Sequence, residues 1–531
     1  MIKSTPAVEF DEQKIDAIFA KVDQCQLPGV AVGIAIGGRP VYRKGFGLAS
    51  MELPVLLSPS IRMRIHSTSK HFTCLAYMLL CEEGKAGIDD PIGESLPGLH
   101  PVTRRVTARQ LMGHISGIRD ACDIRWQFSG TENLISSAEL LSLYKDIDDV
   151  NFAPKTRWAY NNGGYQLLSA AIERITEQSL EEVLRTRIFE PVGMYDTMLR
   201  RYERDFVPNS ATMHMRTVAG GYDKSYLGGA VAGEGGIVST VDDMLRWLAH
   251  MDQPVVGSAA TWATMKTPLR IANGVSTGYG LGLMIDRYRG VETLSHSGNG
   301  LGGNSQMIKV LAAGLDVVIM VNRQDVDSRV LANQILDLCL RGLEPVKESA
   351  QSAHFIAGTF RSPKSGQVIQ LLSKEGKQLV AINGGEMPFV LGEDGVLRPP
   401  ADLSFIKQSV ALVGGQLEPS AIRFDDFGNL DELIRVVPTP NADAATIVGS
   451  YRSKSTGTQI TISVTEEGPR LITVGRFGSA TFSLECLGEG LWRAKSMTPA
   501  AWGGVVSFDR AGAGLRYMTG RTWSLPFERG A

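Results

Sequence analysis

Ser67 and Lys70 stand three residues apart, and an apolar run begins directly after them. On a helix, residues i and i+3 lie on the same face about one turn apart, so the lysine amine can reach the serine oxygen. A serine hydroxyl is a poor nucleophile until a neighbouring base takes its proton, and an amine that has lost its own proton can do so. The spacing therefore predicts a nucleophilic serine at a helix N-terminus, where backbone N–H groups favour negative charge.

The same Ser-x-x-Lys pattern also occurs at Ser142–Lys145 and Ser404–Lys407, so the pattern does not identify a site by itself. Two further boxes follow Ser67: Tyr160–Asn162 is the only Tyr-x-Asn sequence, and His296–Gly298 is the only His-x-Gly sequence. A tyrosine can relay protons, and an amide can accept from a lysine while it donates to a substrate carbonyl. A strand glycine lets a second backbone approach closely. Together the three boxes predict a hydrolytic site.

These residues must be positioned by a region that mixes helices and strands. The pattern predicts a helix at Phe10–Gln26, a hairpin at Gly29–Phe46 and a buried helix at Ser67–Glu83. Strand patterns return at Leu281–Ile285 and Leu315–Val321, after a largely helical middle. We therefore predict an α+β fold with an antiparallel sheet whose first and last strands are distant in the chain.

Past about residue 345, short alternating segments separated by glycine-rich turns predict an all-β region. This region repeats itself, because Ile356–Ser362 recurs as Ile447–Ser453, 91 residues later. Two copies of that length suit two small barrels. We predict three domains, at residues 1–345, 346–440 and 441–531, with a linker at Pro438–Asp443 between the last two.

Composition excludes several function classes. The chain of 531 residues is 43% hydrophobic and 21% charged, with a formal net charge of −2, which gives no reason to invoke nucleic acid or an anionic membrane. The six cysteines and the histidines show no metal-ligand spacing, so we predict neither a metal site nor a cofactor. The N-terminus shows no signal peptide and no apolar run is long enough to span a membrane, so we expect reduced thiols and a cytoplasmic location.

The order and spacing of the three boxes resemble the penicillin-recognising serine hydrolases, which include β-lactamases, DD-peptidases and related esterases and amidases. Leu111–Ile118 and Phe189–Met194 are similar to segments of that family as well. The resemblance implies a β-lactamase/transpeptidase-like catalytic domain followed by two antiparallel β-barrel domains. Within the family, this domain order resembles the bacterial D-aminopeptidases, which implies a homodimer that releases N-terminal D-amino acids from short peptides or amides.

The resemblance implies a role for each box. Ser67 would be the acylated nucleophile and Lys70 its proton acceptor. Tyr160 would shuttle protons, and Asn162 would orient the substrate. His296 would donate to the tyrosine or the substrate, and Gly298 would lie beside the oxyanion hole. Many relatives carry a lysine at the position of His296, where it anchors a substrate carboxylate; a neutral imidazole is a weaker anchor, which disfavours carboxypeptidase and β-lactamase activity.

In the D-aminopeptidases an acid on a loop of the last domain meets the substrate amine. The matching stretch is Gly475–Leu484, which predicts substrate contacts from Phe477, Gly478, Ser479 and Ala480 but contains no acid. Met284 and Asn304 also depart from the residues that the resemblance leads us to expect. Three alternatives therefore stay open: an esterase or D-amino acid amidase, a DD-peptidase-like hydrolase, and a non-catalytic binding module on the same fold.

Overall fold

The computed structural model describes residues 7–217, 219–345, 355–400, 403, 406–415, 417–439, 443–497, 503–509 and 513–530. Its helices all lie in the first part of the chain, apart from single 3₁₀ turns. They are α1 (Glu12–Phe19), α2 (Lys70–Glu82), α3 (Pro101–Arg104), α4 (Ala108–Met112), α5 (Ala121–Ser129), α6 (Ser137–Asp146), α7 (Gly163–Thr176), α8 (Leu180–Leu184), α9 (Glu190–Val192), α10 (Val241–His250), α11 (Ala259–Met265) and α12 (Ser328–Cys339).

The strands of this first part form one large sheet and several short pairs. They are β1 (Val30–Ile36), β2 (Arg39–Phe46), β3 (Leu48–Ser50), β4 (Val55–Leu56), β5 (Met63–Arg64), β6 (Met198–Leu199), β7 (His214–Arg216), β8 (Tyr222–Lys224), β9 (Ile237–Ser239), β10 (Met284–Tyr288), β11 (Val291–Gly300), β12 (Gly303–Val310) and β13 (Leu315–Val321). The large sheet has the strand order β10-β11-β12-β13-β1-β2.

The predicted pairing of distant strands is confirmed, because β1 pairs with β13 in an antiparallel register from Val30 opposite Val321 to Ile36 opposite Leu315. Successive side chains of a strand point to opposite faces. Alternate residues of β1 therefore pack into two different hydrophobic cores. Val32 packs in the core with α1 and α12, and Ala31 packs in the larger core around α2 and α7. The sheet thus separates the terminal helices from the helical region that carries the candidate site.

Two predicted elements differ from the observed ones. The helix predicted at Phe10–Gln26 covers only Glu12–Phe19, because the residues after Phe19 form turns. The strand predicted at Leu281–Ile285 begins instead at Met284. Gly282 adopts a left-handed φ of +70°, and a Cβ there would come within 2.7 Å of the His71 backbone. That close approach to α2 requires an irregular turn where a strand was expected.

The middle part is a nine-stranded antiparallel sheet. Its strands are β14 (Gly358–Arg361), β15 (Val368–Lys374), β16 (Lys377–Ile382), β17 (Gly385–Pro388), β18 (Val390–Leu391), β19 (Val396–Arg398), β20 (Gln408–Val413), β21 (Ala421–Asp426) and β22 (Asn429–Arg435). The sheet ends at β17 and β18, which only Phe389 separates in the chain, so the sheet curls almost completely into a barrel. The break at Phe389 divides one edge segment into the two strands β17 and β18.

The last part is a closed antiparallel barrel. Its strands are β23 (Gly449–Arg452), β24 (Gln459–Thr465), β25 (Gly468–Gly475), β26 (Gly478–Gly488), β27 (Leu491–Ser496), β28 (Gly504–Phe508), β29 (Gly514–Met518) and β30 (Leu525–Arg529). The sequence repeat starts both barrels in the same way, because β14 and β23 each follow a buried isoleucine, Ile356 and Ile447. The predicted fold class, an α+β domain followed by two β-barrels, is confirmed.

The predicted domain limits fall partly on residues outside the described ranges. Residues 346–354 follow the limit at 345, and residues 440–442 lie in the predicted linker, so the exact limits stay predictions. No helix within the described ranges is long and apolar enough to cross a membrane. All six cysteines are free thiols.

Candidate active site

Ser67 lies in a single 3₁₀ turn, His66–Ser69, that runs directly into α2. Its hydroxyl oxygen is 3.2 Å from the Lys70 Nζ atom, as the i, i+3 spacing requires. By contrast, Ser142 lies on α6 beside an exposed Lys145, and its hydroxyl donates to the Glu139 carbonyl at 2.6 Å and accepts from Arg476 Nη1 at 2.9 Å. Ser404 of the third Ser-x-x-Lys match lies outside the described residues. Of the two matches whose serine is described, burial of the lysine distinguishes Ser67.

Lys70 is completely buried and contacts three oxygens. Besides Ser67 Oγ, these are Asn162 Oδ1 at 2.8 Å and the Glu234 backbone carbonyl at 2.7 Å. The latter two can only accept hydrogen bonds, whereas the serine hydroxyl can also donate. These two acceptors hold the Lys70 amine in place, and its third contact joins the nitrogen to Ser67 Oγ. This arrangement suits proton transfer from the serine to the lysine.

The Tyr160–Asn162 box is held at the N-terminus of α7 by the buried carboxylate of Asp120. Asp120 accepts from the backbone N–H groups of Asn162 and Gly163, both at 2.9 Å, and also caps α5. The ring of Tyr160 lies with its centroid 4.7 Å from Lys70 Nζ. Its hydroxyl is buried and makes no hydrogen bond with the described residues. That hydroxyl is therefore available to a substrate or a transferred proton.

Glu234 was not predicted from the sequence, yet it shapes the wall behind Lys70. Its carboxyl oxygens accept from Gln166 Nε2 at 2.6 Å and from the Ala232 backbone at 3.0 Å. Burial raises the pKa of this carboxyl. The carboxyl thus fixes the turn whose backbone carbonyl accepts from Lys70.

His296 lies buried in β11 with both ring nitrogens occupied. Nδ1 is 2.6 Å from the Ser297 carbonyl and Nε2 is 2.8 Å from the Tyr279 hydroxyl. Burial, together with the charge of Lys70, lowers the pKa of His296 to about 3, so the ring is neutral at pH 7. Because a carbonyl cannot donate, Nδ1 carries the proton and Nε2 accepts from Tyr279. In this structure His296 therefore accepts from Tyr279 at Nε2, and its expected role as a donor to Tyr160 or the substrate stays a prediction.

Gly298 brings β11 against the chain that precedes the nucleophile. A Cβ at this position would lie 2.1 Å from the Ile65 carbonyl oxygen, so only glycine fits. Pairing with β10 ends at Ser295, opposite Met284, which leaves the following residues of β11 without a strand on that side. An open strand edge beside Ser67 can pair with an extended substrate. It can also present a backbone N–H to the oxygen of a tetrahedral intermediate.

A cavity of about 850 Å³ opens over Ser67 and is lined by all three parts of the chain. The first part contributes, among others, Ser67, Trp158, Tyr160, Met284 and His296. The middle barrel contributes residues that include Gly384–Met387, Gln408, Asp426 and Phe427, and the last barrel contributes residues that include Arg493–Ser496, Thr519–Arg521 and Trp523. The volume suits a small ligand or a short peptide.

The predicted substrate loop occupies a different place. Phe477 lies in the turn between β25 and β26, Gly478, Ser479 and Ala480 begin β26, and none of the four lines this cavity. The turn docks on the helical region, where Asn133 Nδ2 donates to the Phe477 carbonyl at 2.6 Å. A Cβ at Gly478 would come within 2.4 Å of the Ser129 carbonyl. These contacts hold the barrel against the first part of the chain.

The turn between β29 and β30 reaches the cavity instead. Asp123 Oδ2 accepts from the hydroxyls of Thr519, at 3.0 Å, and Thr522, at 2.6 Å. Asn151 then holds the turn's backbone: its Nδ2 donates to the Arg521 carbonyl at 2.7 Å. Its Oδ1 accepts from Trp523 N at 3.0 Å. These bonds place the Arg521 guanidinium carbon 5.4 Å from the centroid of the Tyr160 ring.

Comparisons with known proteins agree with this arrangement. A family model described as Beta-lactamase matches residues 15–340. A D-aminopeptidase of Gluconobacter oxydans (strain 621H) is 24% identical over 507 residues, which cover 94% of this chain and 91% of that protein. The octameric penicillin-binding protein homologue from Pyrococcus abyssi has a TM-score of 0.58 at 21% identity, over 89% of this chain and 100% of its own. D-amino acid amidase from Ochrobactrum anthropi SV3, complexed with L-phenylalanine amide, has a TM-score of 0.52 at 23% identity, over 62% of this chain and 97% of its own.

Proposed function

Because this chain belongs to the beta-lactamase family, we propose that Ser67 attacks the amide carbonyl of a small D-amino acid derivative and forms an acyl-enzyme. The resemblance predicted from the three boxes is confirmed, and the protein is a serine hydrolase of this family. The observation that carries the proposal is the set of hydrogen bonds around Lys70, because Ser67 is the one of its three hydrogen-bond partners that can give up a proton.

The proposed reaction begins when Lys70 takes the Ser67 proton as the serine oxygen attacks the carbonyl carbon. The developing oxyanion is stabilised by the backbone N–H of Ser67, at the start of the helical segment, and by a backbone N–H from the open edge of β11. Lys70 or Tyr160 then gives a proton to the leaving amine, since Lys70 contacts Ser67 and Tyr160 lies beside Lys70 in the same cavity. Water enters by the same route and releases the acyl group.

Two observations support a D-amino acid substrate. A relative that aligns over most of the chain is named a D-aminopeptidase, and a structural neighbour is named a D-amino acid amidase. The cavity volume of about 850 Å³ suits a short peptide or amide. We propose hydrolysis of short D-peptides or D-amino acid amides, with release of an N-terminal D-residue as the most specific form. The homodimer expected from the resemblance also stays a proposal.

D-alanine p-nitroanilide tests this proposal when the wild type is compared with Ser67→Ala and with Ser142→Ala. Removing the nucleophile should reduce kcat at least about 1,000-fold. Ser142→Ala removes the same hydroxyl from an exposed Ser-x-x-Lys match and should behave as the wild type does. The L-alanine anilide, assayed in parallel, measures stereochemical preference. Equal turnover by the wild type and Ser67→Ala would end the proposal.

A second candidate is an esterase or a DD-peptidase-like enzyme, because the turn of the last barrel that reaches the cavity carries no acid that could meet a free amine. A panel of p-nitrophenyl esters and a D-Ala-D-Ala-ended peptide distinguishes the candidates. Rapid ester cleavage without turnover of any D-amide would favour the esterase. If the folded protein reacts with none of these and a fluorophosphonate fails to label Ser67, the non-catalytic alternative stands.

A further inference from the structure

Arg521 stands out among the charged residues that line the cavity, because each of the others has a hydrogen-bond or ion-pair partner, whereas, among the described residues, the guanidinium of Arg521 contacts only the ring of Tyr160. Lys495 is 2.7 Å from Glu485, and Asp426 is 3.2 Å from Arg157. Arg493 donates to Gln370 at 2.6 Å, Glu386 lies 3.9 Å from Lys374, and Asp123 accepts from two threonine hydroxyls. Within the described chain, the guanidinium of Arg521 makes neither a hydrogen bond nor an ion pair, and its Nη1 atom is buried.

A buried guanidinium nitrogen without a partner is costly, because water no longer solvates it and no acceptor replaces the water. The protein nevertheless fixes the backbone of Arg521, and the guanidinium lies over the ring of Tyr160. The backbone N–H of Arg521 donates to Thr519 Oγ1 at 3.0 Å, while its carbonyl accepts from Asn151 at 2.7 Å. A cation that is held in place and left unpaired inside a cavity is prepared for an anionic ligand.

We infer that Arg521 binds a carboxylate of the substrate, so that the substrate class is a short peptide acid rather than a neutral amide. This inference rests on the proposed function. The planar guanidinium fork matches a carboxylate with two parallel N–H···O bonds. Arg521 and Lys70 both approach the ring of Tyr160, with 5.4 Å from Cζ and 4.7 Å from Nζ to its centroid. One short peptide can therefore reach Ser67 with its scissile carbonyl and Arg521 with its carboxylate.

The test compares D-Ala-D-Ala with its C-terminal amide, using released D-alanine as the readout. The wild type should cleave the acid with the higher kcat/KM. Arg521→Gln should lower the ratio of kcat/KM for the acid to that for the amide about 10- to 100-fold, and Arg521→Lys should recover part of it. Arg452→Gln makes the same change on the exposed surface of the same barrel and should keep the wild-type ratio. An unchanged ratio in Arg521→Gln would overturn the inference while leaving the hydrolase proposal intact.

Binding in the Ser67→Ala background separates this inference from the proposed function. Calorimetry should give a lower Kd for D-Ala-D-Ala than for its amide, and the added Arg521→Gln change should remove the difference. If the wild type cleaves neither compound but this difference in Kd is present, the proposed reaction fails and the carboxylate site stands. If neither compound binds, or both bind equally with Arg521 present, the carboxylate site is refuted.

Discussion

Asp120→Asn tests whether the buried cap of α7 controls the reactivity of the Ser67–Lys70 pair. In the wild type, Asp120 Oδ1 accepts from the backbones of Cys122, Asp123 and Gly163, and Oδ2 accepts from the Asn162 backbone at 2.9 Å. An asparagine can keep its oxygen on the side with three donors. Its NH₂ group then faces the Asn162 N–H, so that two donors meet where an acceptor is needed.

The magnitude follows from those contacts. A hydrogen bond to a charged group contributes about 1.5 to 3 kcal/mol, and a buried donor left unpaired costs a similar amount. We therefore expect Asp120→Asn to lower the free energy of unfolding by about 2 to 3 kcal/mol. The Asn162 backbone must also shift away from the new NH₂ group. Because Asn162 Oδ1 is 2.8 Å from Lys70 Nζ, this shift disturbs the acceptor that fixes the lysine. A misplaced acceptor should reduce kcat about 10- to 100-fold.

The assay measures kcat on the substrate that the wild type hydrolyses, and urea unfolding gives the stability. Asp327→Asn is the matched control, because Asp327 caps α12 by accepting from the Arg329 backbone at 2.8 Å on the protein surface. The control should lose no more than about 1 kcal/mol and keep the wild-type kcat. If Asp120→Asn loses stability as expected but keeps the wild-type kcat, Asn162 does not depend on this cap and the reasoning is refuted.

Two further predictions concern the third box. Tyr279→Phe leaves His296 Nε2 buried and unpaired, which should lower the free energy of unfolding by about 1 to 3 kcal/mol and lower kcat/KM. The control Tyr288→Phe removes a bond to the more exposed Asp337, so thermal unfolding should show a smaller loss of stability. The pKa of His296 is about 3 in the folded protein, against 6.5 ordinarily, so the unfolded chain binds the extra proton and stability falls as pH drops from about 6.5 towards 3. His296→Asn should remove up to about 1.4 kcal/mol per pH unit of that slope in urea unfolding, and equal slopes would contradict the assignment.

The predictions that held in the structure depended on local spacing and on order along the chain. Ser67 and Lys70 come together because three residues make one helical turn, and an amide in the Tyr-x-Asn box reaches the lysine as expected. The repeat of the two barrels could also be recognised in the sequence, because its two copies begin with the same apolar pattern. Such features require no knowledge of how distant segments pack.

The residues that the sequence did not reveal act across long separations. Asp120 lies 42 residues before Asn162 and was indistinguishable from an ordinary helix cap. Tyr279 belongs to a segment whose sequence is mostly apolar, and its hydroxyl bonds to His296, 17 residues further along the chain. In the sequence, each of these residues is a single polar residue within an apolar or helix-capping segment. Its partner is apparent only in the tertiary structure.

The turn that enters the cavity was missed for a different reason. Both Arg476–Phe477 and Gly520–Ser524 are turns of the same barrel, and the orientation of the barrel decides which of them faces Ser67. The family resemblance predicted that substrate contacts come from the first turn, although this turn lacks the acid that the D-aminopeptidases carry there. The second turn is held by two threonines, Thr519 just before it and Thr522 within it, because both donate to the buried Asp123.

The position of Arg521 also bears on how a substrate carboxylate can bind when the histidine at position 296 is neutral. The resemblance associates a lysine at the position of His296 with anchoring of a carboxylate, so its absence disfavoured substrates of that class. In the structure, burial and the charge of Lys70 keep His296 neutral. The guanidinium of Arg521 lies on the side of the cavity that the last barrel lines. The carboxylates of Asp120 and Asp123 accept hydrogen bonds from backbone or threonine donors, and the charge of Arg521 counteracts the rise that burial causes in the pKa of Asp123. The proposed carboxylate of the substrate would give the Arg521 guanidinium a hydrogen-bonding anion, so the anchor would lie on the last barrel and not on the strand.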